Sequence, residues 1–172
     1  MARPDLTKVP EHFHKYIAHV KGDDLMNALQ KQTQSFTKLL RNIPKSKRDF
    51  RYEEGKWNIR EVIQHIIDAE RVFTYRSLCI ARKDATPLPS FDENLYADNS
   101  KSAERKWKEL WNEFMAVRLS TLLLFASFDE EQMDSKGIAS GKEIQVIALG
   151  FIIAGHAKHH ELILKEKYLS KG

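Results

Sequence analysis

The sequence predicts an all-α fold: a four-helix bundle preceded by a short N-terminal helical segment. Three observations carry this reading. Glycine (7) and proline (5) are scarce among the 172 residues, which leaves few positions for tight turns. Apolar residues recur at helical spacing over four long stretches. Good capping residues stand at the start of several of these stretches. The length suits one domain with a sizeable core, expected to span residues 1–172.

The N-terminal segment is short and amphipathic, with Phe13, Tyr16, Ile17 and Val20 on one side. The first long helix is expected at about 24–43. Leu25, Met26, Leu29, Phe36, Leu39, Leu40 and Ile43 share its apolar face, and Pro44 ends it. The second is expected at about 58–82. Asn58 is its N-cap, Glu61 completes a capping box, and Trp57 and Val62 stand where a hydrophobic staple would form. A long connection follows, "KDATPLPSFDENLYADNSK", with two prolines and no helical period. Connections of this length in a compact domain are often functional.

The third helix is expected at about 102–126, with Trp107, Leu110, Trp111, Phe114 and Val117 facing inward. The fourth is expected at about 140–169. There "SGKE" reads as a capping box, with Ala139 and Ile144 as its staple. Four amphipathic helices of similar length suit a bundle. The connections at 83–101 and 127–140 leave room for crossovers.

Composition excludes several function classes. Net charge is +4, from 28 Lys and Arg against 24 Asp and Glu, and the signs alternate along the chain. The one dense basic run, "PKSKRDFRY", is a short connection without the interleaved basic and aromatic stripe of a nucleic-acid site. No nucleic-acid partner is expected. No apolar run has the length of a membrane span, and "MARPDLTKVPEHF" lacks the apolar centre of a secretory signal. The single cysteine, Cys79, excludes an internal disulfide and agrees with a reducing cytoplasm.

The stretch "AGHAKHHELI" puts three histidines into five positions beside an apolar run. His156 and His160 are one helical turn apart, on the face of Leu149, Ile152, Ile153 and Ile163. Glu143, Lys158, Glu161 and Lys165 mark the opposite, solvated face. His159 falls within the broad apolar arc, so spacing permits the pair 156/159 as well as 156/160. Two inward imidazoles one turn apart can reach one metal ion. The second helix supplies a third candidate, His65, on a stripe with Asn58, Val62, Ala69, Val72 and Arg76. His12, His14 and His19 have no such context. Cys79 stands about 21 Å beyond His65 on the same helix, too far to be a fourth ligand. Asp68 and Glu61 flank His65 and are candidates to orient its ring. Arg76, on the same stripe, is expected to find a carboxylate partner or to meet an anionic cosubstrate group. Trp57, Trp107 and Trp111 read as packing residues.

These residues carry a family resemblance. "GKWNIREVIQHIIDAERVFTYR", followed far downstream by "GFIIAGHAKHHELILKEKYL", resembles the DinB/YfiT-like superfamily of metal-dependent enzymes. The likeness extends over most of the chain, through "TPLPSFDENLYA" and "GIASGKEI". It implies a four-helix bundle with non-sequential packing, often dimeric. It also implies a metal triad of one histidine on the second long helix and an H-x3-H pair on the last. Those are His65, His156 and His160 here, with His159 beside the site. The implied cofactor is a divalent ion, nickel or zinc. The implied activity is transfer of a low-molecular-weight thiol to an electrophile, or hydrolysis by a metal-bound water, and the implied substrate is a small molecule. A metal-binding bundle without turnover is the third possibility. The sequence offers no Ser-His-Asp or Cys-His nucleophile and no Gly-rich phosphate loop, so any catalytic centre is the metal.

Overall fold

The structure is a computed structural model that describes residues 3–170; the two residues at each end of the expected 1–172 span lie outside the described residues. Its helices are α1 (His14–Ala18), α2 (Leu25–Asn42), α3 (Ile59–Ala81), α4 (Glu93–Asn99), α5 (Trp107–Ala126), α6 (Glu130–Asp134) and α7 (Val146–Ile163). Strands β1 (Lys136–Ala139) and β2 (Lys142–Gln145) form an antiparallel hairpin. A π-helical stretch, Leu164–Leu169, prolongs α7. No helix among the described residues is long and apolar enough to cross a membrane.

The four long helices form the bundle. α7 packs on α2 and α3, and α5 packs on the same two. The order round the bundle is therefore α2, α7, α3, α5. The consecutive helices α2 and α3 stand on a diagonal, which is the non-sequential packing that the resemblance implied. α1 lies across α7. Their close approach depends on Gly155, where an added Cβ would sit 2.0 Å from the Tyr16 carbonyl oxygen.

α7 is the central element. Every residue from Val146 to Ala157 is buried, as expected of a helix that is apolar all round. The apolar core forms two clusters, one around Leu29, Phe125 and Phe151, the other around Phe36, Ile63 and Phe114. Between them runs a polar layer. Arg118 donates from Nε and Nη2 to the two Glu70 oxygens, both at 2.8 Å, and from Nη1 to Thr33 Oγ1 at 2.9 Å and to Gln32 Oε1. His156 occupies the same level on α7, between the two clusters.

Four expectations need correction. The fourth helix starts at Val146, not near 140. Ser140 and Gly141, with φ of 52° and 72°, make the tight turn of the β1–β2 hairpin. "SGKE" is thus a hairpin turn and not a capping box. The connection 83–101 contains α4, capped by Asp92. No α4 residue is buried, so it has no apolar period to read. The third helix starts at Trp107, because the preceding segment is tied to α3 instead. Arg60 donates to the Arg105 carbonyl at 2.8 Å and Arg105 to Gln64 at 2.6 Å. Finally, Glu161 is fully buried, accepting from Ser35 at 2.6 Å and from Lys158 and Lys165 at 3.1 and 2.5 Å.

Candidate metal centre

The ends of α3 and α7 are fixed before the histidines meet. Asn58 and Glu61 form the expected capping box, with Glu61 N–H to Asn58 Oδ1 at 3.0 Å and Asn58 N–H to Glu61 Oε2 at 2.7 Å. Trp57 and Val62 both join the lower apolar cluster, as the staple positions predict. Beyond the triad, Tyr168 donates to the Trp57 carbonyl at 2.7 Å and ties the end of α7 to the start of α3.

This arrangement brings His65, His156 and His160 together. His65 Nε2 lies 3.0 Å from His156 Nε2, and His160 Nε2 lies 3.2 Å from the same atom. The three candidate ligand atoms all fall within 4.8 Å of one another. Imidazole nitrogens that share one ion at about 2.1 Å stand on the order of 3 Å apart, so the geometry fits a single divalent cation. Three converging nitrogen lone pairs repel one another unless a proton or a cation lies between them. His156 is buried, and His65 and His160 are half-buried.

Burial keeps the imidazoles neutral. It pushes His65 down to about 4. His156 and His160 lie well below the ordinary value, through burial first and then through the neighbouring imidazoles and Lys15. Neutral imidazole is the ligand form, so an ion need displace no proton at neutral pH.

His159 stays apart. Its Nδ1 lies 3.4 Å from His19 Nε2, with the two rings stacked and the Tyr16 ring edge-on at 5.3 Å. Neither flanking carboxylate orients His65. Glu61 caps the helix and takes both Arg51 nitrogens at 2.7 and 2.8 Å. Asp68 accepts from Gln64 at 2.9 Å, and burial raises its pKa. Arg76 meets no carboxylate among the described residues either. It donates to the Pro89 carbonyl at 2.6 Å and to Ser140 Oγ at 3.0 Å.

Two cavities adjoin the triad. One, of about 320 Å³, meets His65 and His156 and is walled by Phe13, Tyr16, Phe73 and Arg76. The other, of about 270 Å³, meets His160, Trp57 and Tyr168. Glu93 faces the first and Asn94 the second, so the start of α4 stands at the rim of both. The Tyr16 ring packs edge-on to His156 at 5.2 Å, and the Trp57 ring lies 4.7 Å from His65. Trp57 is therefore a cavity wall as well as a packing residue. Sequence reasoning passed over His12 and Lys15, which also line the first cavity. The one available signal was their place in the apolar N-terminal segment beside Phe13 and Tyr16.

The profile of the DinB superfamily matches residues 28–164. The chain belongs to the DinB superfamily. A curated protein of Oceanobacillus iheyensis, described by name as a candidate metal-dependent hydrolase, is 30% identical over 114 residues. That match spans 63% of this chain and 63% of the relative's own length. Among solved structures, YfiT from Bacillus subtilis, described as having an unusual four-helix bundle topology, superimposes with a TM-score of 0.71. The match covers 95% of this chain and 90% of YfiT at 16% identity. The mycothiol-dependent maleylpyruvate isomerase superimposes with a TM-score of 0.66, over 84% of this chain and 59% of its own, at 11% identity. At such identities the two structures attest to the DinB fold alone.

Proposed function

We propose that His65, His156 and His160 hold one divalent cation, nickel or zinc, and that the protein uses it to transfer a low-molecular-weight thiol to a small electrophile. The observation that carries this is the convergence of three neutral imidazole nitrogens at the wall of a cavity. A bound ion of this kind lowers the pKa of a thiol or water and supplies a nucleophile near neutral pH. Three protein ligands leave room for that exogenous group, whereas structural sites commonly close all four positions.

The chain's own residues do the rest. His65 and His156 line the cavity and would hold the ion at its wall. Phe13, Tyr16 and Phe73 give it an aromatic wall. Glu93 and Asn94, at the start of α4, line the two cavities. No side chain needs to act as nucleophile, because the thiol or water held by the ion would supply it.

Hydrolysis by a metal-bound water is the second reading, favoured by the description of the Oceanobacillus relative. The test is turnover by nickel- or zinc-loaded protein of a thiol with an alkylating electrophile, run beside ester and amide substrates. Metal-dependent thiol conjugation supports transfer, and metal-dependent ester or amide cleavage supports hydrolysis. Metal binding with neither activity leaves a metal-binding bundle. The same reading includes a homodimer. Exposed Tyr75 on α3 and Leu119 and Leu123 on α5, 57–64% exposed, are apolar surface that a second copy would cover. A monomer mass by light scattering at tens of micromolar would contradict it.

A further inference from the structure

The bundle buries two arginines, and they are treated differently. Arg118, 1% exposed, is neutralised by both oxygens of Glu70. Arg76, 4% exposed, meets no carboxylate among the described residues. Its Nη2 is committed to the Pro89 carbonyl and Ser140 Oγ, and its Nε and Nη1 bond to no protein atom among the described residues. A buried cation without a counter-charge is costly, and burial lowers the Arg76 pKa accordingly.

The guanidinium belongs to the wall of the triad's cavity. Arg76 follows His65 by eleven positions, which returns it to the same face of α3 about 16 Å further on. Phe73 links the two ends of the cavity. Its ring lies 6.1 Å from the His156 ring and 5.9 Å from the guanidinium carbon of Arg76. Lys15 adds a second positive charge to the lining, and Glu93 is the one carboxylate there.

Two distant segments hold the arginine in place. Leu88 N–H bonds to the Ile138 carbonyl at 2.9 Å and Ser140 N–H to the Leu88 carbonyl at 3.0 Å. This ladder fixes Pro89 and Ser140 relative to each other, with Ser140 at a φ of 52° in the hairpin turn. The hairpin that displaces the expected helix start thus provides an acceptor for Arg76.

We propose that Arg76 binds a carboxylate on the substrate, at the end of the cavity opposite the histidine triad. The proposal rests on the reading of the triad as a metal site for small-molecule chemistry and adds the class of molecule: a carboxylic acid whose reacting group lies at His65 and His156. Arg76 is the buried cation of this lining, while exposed Lys15 shares the wall with Glu93, so the site suits a monoanion better than a phosphate dianion. The remaining N–H groups on Nε and Nη1 are the donors for its oxygens.

The test uses calorimetric titration of zinc-loaded protein with ω-mercaptocarboxylates roughly three to eight carbons long, which bracket the span. Each acid is compared with its primary amide. The acid of best length is expected to bind about tenfold tighter than its amide. Arg76→Gln is expected to reduce that ratio to within about twofold without changing zinc content. Arg76→Lys is expected to keep part of the preference and serves if the glutamine variant does not fold. Equal binding of acid and amide by wild type, or an unchanged preference in Arg76→Gln, overturns the proposal. Titration of metal-free protein with simple carboxylates and amides separates the two readings. An Arg76-dependent acid preference in protein that takes up no zinc leaves Arg76 assigned and removes the metal reading. No preference in metal-free or zinc-loaded protein overturns the Arg76 assignment, whatever the zinc content.

Discussion

Gly155 of α7 lies directly against the Tyr16 carbonyl of α1: a Cβ on Gly155 would stand 2.0 Å from that oxygen and 2.4 Å from its carbon. The obstacle is backbone, so a rotamer change cannot relieve it. Gly155→Ala is therefore expected to displace α1 and cost about 1–3 kcal/mol, the usual range for overpacking a core. Urea unfolding measures the loss. Because α1 carries Tyr16 into the cavity wall and Phe13 directly precedes it, ligand affinity should fall as well. An unchanged midpoint would mean that α1 does not pack as described.

The Arg118–Glu70 pair gives a second prediction. Both side chains are almost fully buried, and their two hydrogen bonds are each 2.8 Å. Removing one partner leaves an uncompensated charge in the core. Glu70→Ala alone should cost about 3–5 kcal/mol. Replacing both residues with apolar ones of similar volume should recover most of that loss. A double variant as unstable as the single one would show that the polar layer is required for packing and not merely compensated.

Acid should weaken the metal-free fold. The folded-state values of His65, His156 and His160 are depressed, His65 to about 4 from an ordinary 6.5. As pH falls below 6.5 the unfolded chain takes up protons first, so stability that is present above 6.5 is lost progressively toward about 4. Unfolding midpoints of metal-free protein should drop across that window. His65→Gln should flatten part of the drop. A midpoint independent of pH between these limits would contradict the buried, neutral triad.

Much of this molecule is legible in its sequence, and the exceptions have physical causes. Asn58, Glu61 and the apolar stripe of α3 announce that helix because capping and periodicity are local. His156 and His160 are legible as a pair for the same reason, and the family resemblance chose between them and His159. What was hidden depends on tertiary contact. α4 buries no residue, so it leaves no periodic signal. Ser140–Gly141 carries residues for both a cap and a turn, and pairing of Leu88 with β1 accompanies the turn. Glu161 reads as a surface residue, and only Ser35 on α2 and two lysines make its burial tolerable. Arg76 was expected to find a carboxylate, and only the fold reveals that it meets a carbonyl and a hydroxyl instead.

The central claim is that His65, His156 and His160, and not His159, hold one divalent ion. The direct measurement is nickel or zinc content and affinity of purified wild type, His160→Ala and His159→Ala, by elemental analysis and competition titration. The account predicts about one ion per chain for wild type and His159→Ala, and for His160→Ala a loss of affinity of about 10-fold or more. Equal metal binding by wild type and His160→Ala, or loss of the ion on replacing His159, would contradict it.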